Sequence, residues 1–303
     1  MLSRRHIPNT DLDVSPVCLG TMTFGNPVAR QDAIRIVHWA LDHGVNFIDT
    51  ADMYEGYDRH FGSPGGVAEA ILGEALRGRR EQAVVTTKVG NPIGDGQYEG
   101  TGLSRRHILH QIDASLARLK TDYVDLYELH KADPDTPLEE SVGVMAELVS
   151  AGKVQHWGFS NFDPAQIREM LAICDQNGWP RPVIAQPPYS WLKRDVEADV
   201  LPICVDNQIA VTPYQPLQGG LLTGKYRRGQ PLPSDSRAAE NPKWLSVEET
   251  VYDELEQFER EAKDAGLAPS QYAVRWLLDQ AGVTSVVAGV KRVEQLSDLM
   301  AGC

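Results

Sequence analysis

At 303 residues the chain has room for one large α/β barrel or two ordinary domains. Its net charge of −13 argues against nucleic acid as the main partner, so an anionic cofactor has to be met by local basic residues. Four scattered cysteines (Cys18, Cys174, Cys204, Cys303) show neither a disulfide framework nor a zinc-ligand spacing, and no apolar run approaches a membrane span. The expectation is a soluble cytoplasmic protein with no metal.

A short opening segment reads as a hairpin plugging one end of a barrel. Val17-Cys18-Leu19-Gly20 follows as a first buried strand, and Ala33, Ile34, Val37, Ala40 and Leu41 keep helical spacing up to Gly44. The strand Val45–Asp49 precedes a helix through Ala68, Ile71, Leu72, Ala75 and Leu76. Ala83–Lys88 is a third strand, and Ser104 caps a helix whose Ile108, Ile112, Leu116 and Leu119 share one face. Tyr123–His130 forms the fourth strand, Leu138–Ser150 a helix and Val154–Ser160 the fifth strand. Asp163-Pro164-Ala165-Gln166 carries an N-cap, a proline at N1 and a glutamine at N3. Pro182–Gln186, Ile209–Tyr214 and Thr284–Gly289 are strands six, seven and eight.

Eight apolar strands alternating with amphipathic helices imply an α/β fold, a closed (β/α)8 TIM barrel forming a single domain over residues 1–303. A doubly wound sheet is the structural rival, but no G-x-G-x-x-G follows the first strand. The long segment after strand seven, about Leu217–Ser246, is rich in Gly, Pro and Ser, which predicts a functional loop such as a lid.

Polar residues at the C-terminal ends of barrel strands face the active site. Asp49, Lys88 and His130 end strands two, three and four, and Tyr54 lies just past strand two. A tyrosine with a pKa of about 10 is a poor acid at neutral pH, and a neighbouring ammonium lowers that value. Held by Asp49, Lys88 would prepare Tyr54 to protonate a carbonyl oxygen, with His130 orienting or assisting the transfer. Taken singly, each of these residues is as well explained by a cap, a surface charge or a satisfied histidine; four at successive strand ends are not.

A second group reads as a cofactor platform. Ser160, Asn161 and Gln186 end strands five and six with groups suited to a carboxamide, and Tyr214 ends strand seven with a ring that can stack. Gln215, Pro216, Leu217 and Gly219 open a glycine-containing turn whose N–H groups suit a pyrophosphate. Lys225, Arg237, Lys291 and Arg292 supply local positive charge, the last two where a helix starts, whereas Arg227 and Arg228 read as solvated. Met22, Tyr57, Trp157 and Trp191 either line the pocket or pack.

The motifs Gly44-Val45-Asn46-Phe47-Ile48-Asp49-Thr50-Ala51 with Tyr54, Thr87-Lys88, Leu129-His130, Gly152-Lys153-Val154 to Gly158-Phe159-Ser160-Asn161-Phe162, and Leu221-Leu222-Thr223-Gly224-Lys225-Tyr226 together resemble the aldo-keto reductases over nearly the whole chain. The likeness is strongest to the bacterial branch related to potassium-channel β subunits. This resemblance implies a catalytic tetrad of Asp49, Tyr54, Lys88 and His130, and an extended NADP(H) bound without a Rossmann domain. It further implies cofactor contacts from Gly20, Thr21, Met22, Asp49, Ser160, Asn161, Gln186, Tyr214, Gln215, Pro216, Leu217, Gly219, Lys225, Arg237, Gly289, Lys291, Arg292 and Gln295. Lys291 stands where that branch commonly has serine, and still suits a 2′-phosphate. Leu299 stands where the family usually has asparagine near the adenine. Pro187-Pro188 after Gln186 is a smaller departure.

The reading is an NADPH-dependent reductase of a small aldehyde, ketone or sugar-derived carbonyl, with the oligomeric state left open. Its rival is an NADPH-binding redox-sensing or regulatory protein with little turnover. His130 speaks against that rival, because channel-associated members tend to lack histidine here. A metal-dependent barrel hydrolase would want H-x-H at the first strand, which Val17–Gly20 does not have.

Overall fold

Strands that are apolar on both faces have to be covered on both faces. Here helices cover the outside and the strands close on themselves to cover the inside. The computed structural model describes residues 2–60, 62–94, 102–234, 236–240, 245 and 247–303. It opens with an antiparallel hairpin, β1 (Arg5–His6) and β2 (Asp13–Val14). Eight parallel strands follow: β3 (Val17–Gly20), β4 (Phe47–Asp49), β5 (Val84–Val89), β6 (Val124–Leu129), β7 (Val154–Ser160), β8 (Ile184–Gln186), β9 (Ala210–Val211) and β10 (Val286–Gly289). They are hydrogen-bonded in the order β10-β3-β4-β5-β6-β7-β8-β9. Backbone bonds from Val211 to Gly282, Thr284 to Val211 and Val287 to Pro213, each 2.9 Å, close the remaining seam.

The helices are α1 (Arg30–Asp42), α2 (Val67–Ala75), α3 (Arg105–Leu119), α4 (Leu138–Ser150), α5 (Pro164–Asn177), α6 (Val200–Asp206), α7 (Arg237–Glu240), α8 (Val251–Asp264), α9 (Pro269–Leu278) and α10 (Val293–Met300). Ser104 accepts a hydrogen bond from the backbone N–H of His107, and Asp163 with Gln166 forms the capping box expected at α5. None of the helices among the described residues is long and apolar enough to cross a membrane.

The interior is built in two levels. Phe47, Val84, Leu126, Ile184, Ala210 and Val287 form an apolar layer where the strands begin, and Ile7 and Val14 of the hairpin pack into it as a stopper. Two residues further along several strands, the same alternation brings Asp49, Thr86, Lys88, Glu128, Ser160 and Gln186 inward, all of them buried. The barrel is therefore apolar at one end and polar at the other.

Five strands (β4, β6, β8, β9 and β10) are shorter than expected, and for three of them the backbone says why. Val45 N–H bonds Ala40 O at 2.9 Å, finishing α1 instead of extending β4. β8 starts two residues late, past Pro182, and ends at Gln186 as expected, whereas β9 ends early, just before Pro213, which lacks the N–H a ladder needs. The segment after β9 folds back as a 3-10 stretch, Gln218–Thr223, and the single turn of α7. Leu221, Leu222, Tyr226 and Ala238 share a small core there with Tyr252, Leu255 and Phe258 of α8 and Ala273 of α9. The expected lid also includes residues 235, 241–244 and 246, which lie outside the described residues.

Candidate active site

The ends of β4 and β5 place a carboxylate beside an ammonium with no water between them. Lys88 is fully buried, and its Nζ donates to the Asp49 carboxylate, to the Thr50 carbonyl at 3.0 Å and to the Tyr54 phenol oxygen at 3.4 Å. An ammonium has three donors, and all three are used. Gln186, reaching across from β8, donates its Nε2 to the same Asp49 oxygen at 2.8 Å. His130 follows β6 directly and meets the Tyr54 ring edge-on, with centroids 6.0 Å apart. Its Nδ1 is buried with no hydrogen-bond partner among the described residues. The four residues predicted from strand ends are thus brought together.

Burial pushes the His130 imidazole well below its usual range, and Lys88 and Lys131 add to that, so the ring is neutral. Burial is the largest influence and works against the Lys88 charge, but Asp49, Tyr54 and Glu128 together outweigh it and the ammonium persists above its ordinary value. Tyr54 departs from the sequence-based expectation. Burial drives its phenol above the usual range; Lys88 pulls it down as anticipated, while Asp49 pushes it up. Because Asp49 answers the lysine charge, burial decides, and the phenol rests protonated.

Three further carboxyl groups were given no role from the sequence. Glu128 lies inside the barrel on β6 beside Lys88. Behind the Tyr54 loop, Glu69 accepts from Thr87 Oγ1 and from Arg118 Nε, both at 2.6 Å. Asp52 is buried near this pair, and burial with the nearby Glu69 pushes its carboxyl well above the carboxylate range. Neither oxygen of Asp52 has a hydrogen-bond partner among the described residues.

On the other side of the mouth the amide and hydroxyl groups form a chain. Ser160 Oγ donates to Gln186 O at 2.6 Å, Asn161 Nδ2 to His130 O and Ser160 Oγ at 2.9 Å each, and Tyr214 OH to Asn161 Oδ1 at 2.8 Å. Tyr214 is thereby held in place. Gln215, Pro216 and Leu217 lead into a turn in which Gln215, Gln218, Gly219 and Gly220 all have positive φ. Lys225 lies against Gly220, where an added Cβ would meet its side chain at 3.1 Å.

Across the seam, Gly20 and Gly289 pair in register at the ends of β3 and β10, so neither strand puts a side chain there. Thr21 and Met22 continue from Gly20, and Thr21 Oγ1 is buried without a partner among the described residues. Arg237 stacks over the Tyr57 ring at 4.8 Å. Lys291 Nζ pairs with the Glu240 carboxylate at 2.5 and 2.7 Å, and its backbone N–H is held by Gln295 Oε1 at 2.7 Å. Arg292 is exposed at the N-cap of α10. Leu299 is buried in the main core. Trp157 donates to Pro180 O at 2.8 Å from within the core, and Trp191 packs on Phe258, so both are packing residues.

The sequence profile of the aldo/keto reductase family matches residues 16–303. A probable voltage-gated potassium channel subunit beta of Arabidopsis thaliana is 36% identical, across 98% of this chain and 89% of its own. The L-glyceraldehyde 3-phosphate reductase of Escherichia coli is 32% identical, across 97% and 85%. A solved glycerol dehydrogenase from Gluconobacter oxydans superposes with a TM-score of 0.82 at 29% identity, covering 99% of this chain and 90% of that one. With family profile, relatives and barrel in agreement, the chain belongs to the aldo/keto reductase family of oxidoreductases.

Proposed function

We propose that residues 1–303 work as one barrel domain that reduces a small aldehyde, ketone or sugar-derived carbonyl with NADPH, in a cytoplasmic setting suited to its four unpaired cysteines. One observation carries this reading: the Tyr54 phenol oxygen accepts a hydrogen bond from a buried, Asp49-paired Lys88 at the polar end of the barrel. The glycerol dehydrogenase and glyceraldehyde 3-phosphate reductase named above support a short polyol-related carbonyl as the substrate class.

The residues present fit a nicotinamide dinucleotide phosphate. Ser160, Asn161 and Gln186 offer the donors and acceptors of a carboxamide, and Tyr214 offers a fixed ring face. The Gln215–Gly219 turn with Lys225 suits the pyrophosphate, and the bare Gly20–Gly289 seam with Thr21 and Met22 leaves room beside it. Lys291, with Arg292 and Arg237, suits the 2′-phosphate, which would replace the Glu240 carboxylate on Lys291. When bound, the cofactor supplies a hydride to the carbonyl carbon.

Tyr54 gives its proton to the carbonyl oxygen as negative charge develops there. The neutral phenol is the correct form for this, and an alkoxide is a strong enough base to take the proton although burial has weakened the acid. Lys88, already touching the phenol oxygen, stabilises the phenolate left behind, and Asp49 keeps Lys88 charged and in place. Neutral His130, edge-on to Tyr54, orients the carbonyl by a hydrogen bond.

The test is loss of nicotinamide absorbance with a panel of aldehydes, ketones and keto-sugars, run with NADPH and NADH. Tyr54→Phe should lower turnover by at least about a hundredfold and leave NADPH affinity nearly intact. Loss of binding instead would remove Tyr54 from the donor role. Tight binding of NADPH without turnover on any carbonyl would favour a regulatory protein.

A further inference from the structure

Glu128 is the penultimate residue of β6, two residues before His130, and the reaction above makes no use of it. It is fully buried and in register with Lys88 on β5 and Gly158 on β7. At Gly158 a Cβ would lie 2.3 Å from the Ile184 side chain, so β7 brings no charge or hydrogen-bonding side chain opposite Glu128. The Glu128 Oε1 accepts from Thr86 Oγ1 at 3.1 Å, while Oε2 is buried with no partner among the described residues. The nearest cation offers it no hydrogen bond, because all three donors of Lys88 point to Asp49, Thr50 and Tyr54.

An ionised carboxylate with one idle oxygen inside a barrel is costly, and a neutral acid is far less so. The groups facing it are Lys88 on β5, Asp49 on β4, the Cys18 thiol on β3 and the Tyr54 phenol on the loop after β4. Of these only Lys88 favours the anion.

We propose that Glu128 is a positioning residue for the Lys88–Tyr54 pair that acts by holding a proton: neutral, it leaves the ammonium to the phenol; ionised, it draws the ammonium's field away. The proposal rests on the reading of Tyr54 as proton donor. Burial, opposed by Lys88 and reinforced by Asp49, raises the Glu128 carboxyl to about 8. Below that pH the interior holds one ammonium and one carboxylate; above it, a second carboxylate faces Lys88. The ionised Glu128 then pushes the Tyr54 phenol still higher and makes it a weaker acid. Carbonyl reduction should accordingly fall as pH rises through about 8, a limb that Tyr54 itself, raised beyond its ordinary value of about 10, cannot produce there.

The experiment compares the pH profile of carbonyl reduction in the parent, Glu128→Gln and Thr86→Val. Glu128→Gln cannot ionise, so its alkaline limb should move up by about one pH unit or more, or disappear. Thr86→Val removes the hydroxyl that favours the anion and should also move the limb up, without altering any charge and without depending on whether Glu128→Gln folds. A merely structural role would lower activity at every pH and leave the limb in place; that outcome overturns the proposal. Infrared titration supplies a readout that needs no turnover. The difference between parent and Glu128→Gln at pH about 7 should show the carbonyl stretch of a protonated carboxyl, lost through about pH 8; Asp52, whose carboxyl burial also raises, is common to both and cancels. Absence of that band at neutral pH overturns the proposal on its own. Titration of the band near pH 8 with no turnover on any carbonyl would confirm the stored proton and fail the reductase reading alone.

Discussion

Asp49→Asn removes one negative charge and almost no volume, and the structure allows the consequence to be worked out. The Lys88 ammonium is fully buried, and it would keep the Thr50 carbonyl at 3.0 Å and the Tyr54 phenol at 3.4 Å but lose the counter-charge it is paired with. Breaking a buried ion pair by removing one partner costs about 3–5 kcal/mol, because the other charge is left uncompensated. For a chain of this size, about 2 °C per kcal/mol puts the drop in apparent melting midpoint at roughly 6–10 °C. The sign with pH is a sharper test. In the parent, Lys88 lies above its unfolded value, so the pair's stabilisation is fully present below about pH 10.4 and is lost only as pH rises through the higher folded value. In Asp49→Asn, burial acts with its main opponent removed and drives Lys88 below the unfolded value. The penalty is then greatest at low pH and fades as pH climbs toward about 10, because the buried amine releases its proton. Denaturant melts between about pH 7 and pH 9.5 should show the gap between the two proteins narrowing. Glu128 is the other carboxyl facing Lys88 and can take over part of Asp49's role, so the double variant with Glu128→Gln should lose more than the two single losses added. A loss below about 1 kcal/mol at pH 7, or a gap that does not change with pH, would refute the reasoning.

The cofactor assignment and the helix packing offer independent checks. Alanine at both Lys291 and Arg292 should weaken NADPH by about tenfold or more and leave NADH nearly unchanged, as measured by binding titration; equal loss for both cofactors would sink the 2′-phosphate assignment. Gly73 is the point of closest approach of α2 to the end of α3: an added methyl would sit 2.3 Å from the Arg118 carbonyl oxygen and 2.7 Å from the Leu119 carbonyl carbon. Those are backbone atoms that cannot rotate aside, so Gly73→Ala should cost about 1–3 kcal/mol in overpacking against a helix-propensity gain of about 1 kcal/mol. A thermal melt at or above the parent's would show that the helices are not in that contact.

The barrel was legible because its strands are short apolar runs and its helices keep a helical period between them; Leu138–Ser150 and Val154–Ser160 were read to the residue. The tetrad was legible for a related reason. A lysine or aspartate that ends a run such as Val84-Val85-Thr86-Thr87 is a charge at the edge of a core, and a charge there needs a partner. What sequence could not show is which partner wins. Lys291 is a basic residue at a helix start, but its pairing with Glu240, 51 positions away, exists only because the segment after β9 folds across the mouth. The Glu69–Arg118 pair spans 49 positions and needs α2 and α3 to meet. The direction of the Tyr54 shift was missed because sequence adjacency reveals the lysine but not how much solvent the phenol loses.

Glu128 shows that the limit was not always one of information. The same two-residue alternation that points Lys88 inward from Val84 points Glu128 inward from Leu126, and both were present in the sequence. A charge inside a strand, flanked by Tyr127 and Leu129, carries more meaning than a charge at its end, because no loop offers it water. Every other charged member of this interior has its hydrogen bonds made: Lys88 has three acceptors, and Asp49 receives from Lys88 and Gln186. Tyr54 accepts from Lys88 and so keeps its own proton to give away. Glu128 Oε2, beside them, has no partner among the described residues, and it belongs to a carboxyl that burial raises to about 8. The charge of that group depends on pH, which is why the pH profile, rather than the rate at one pH, is where this site should reveal how it operates.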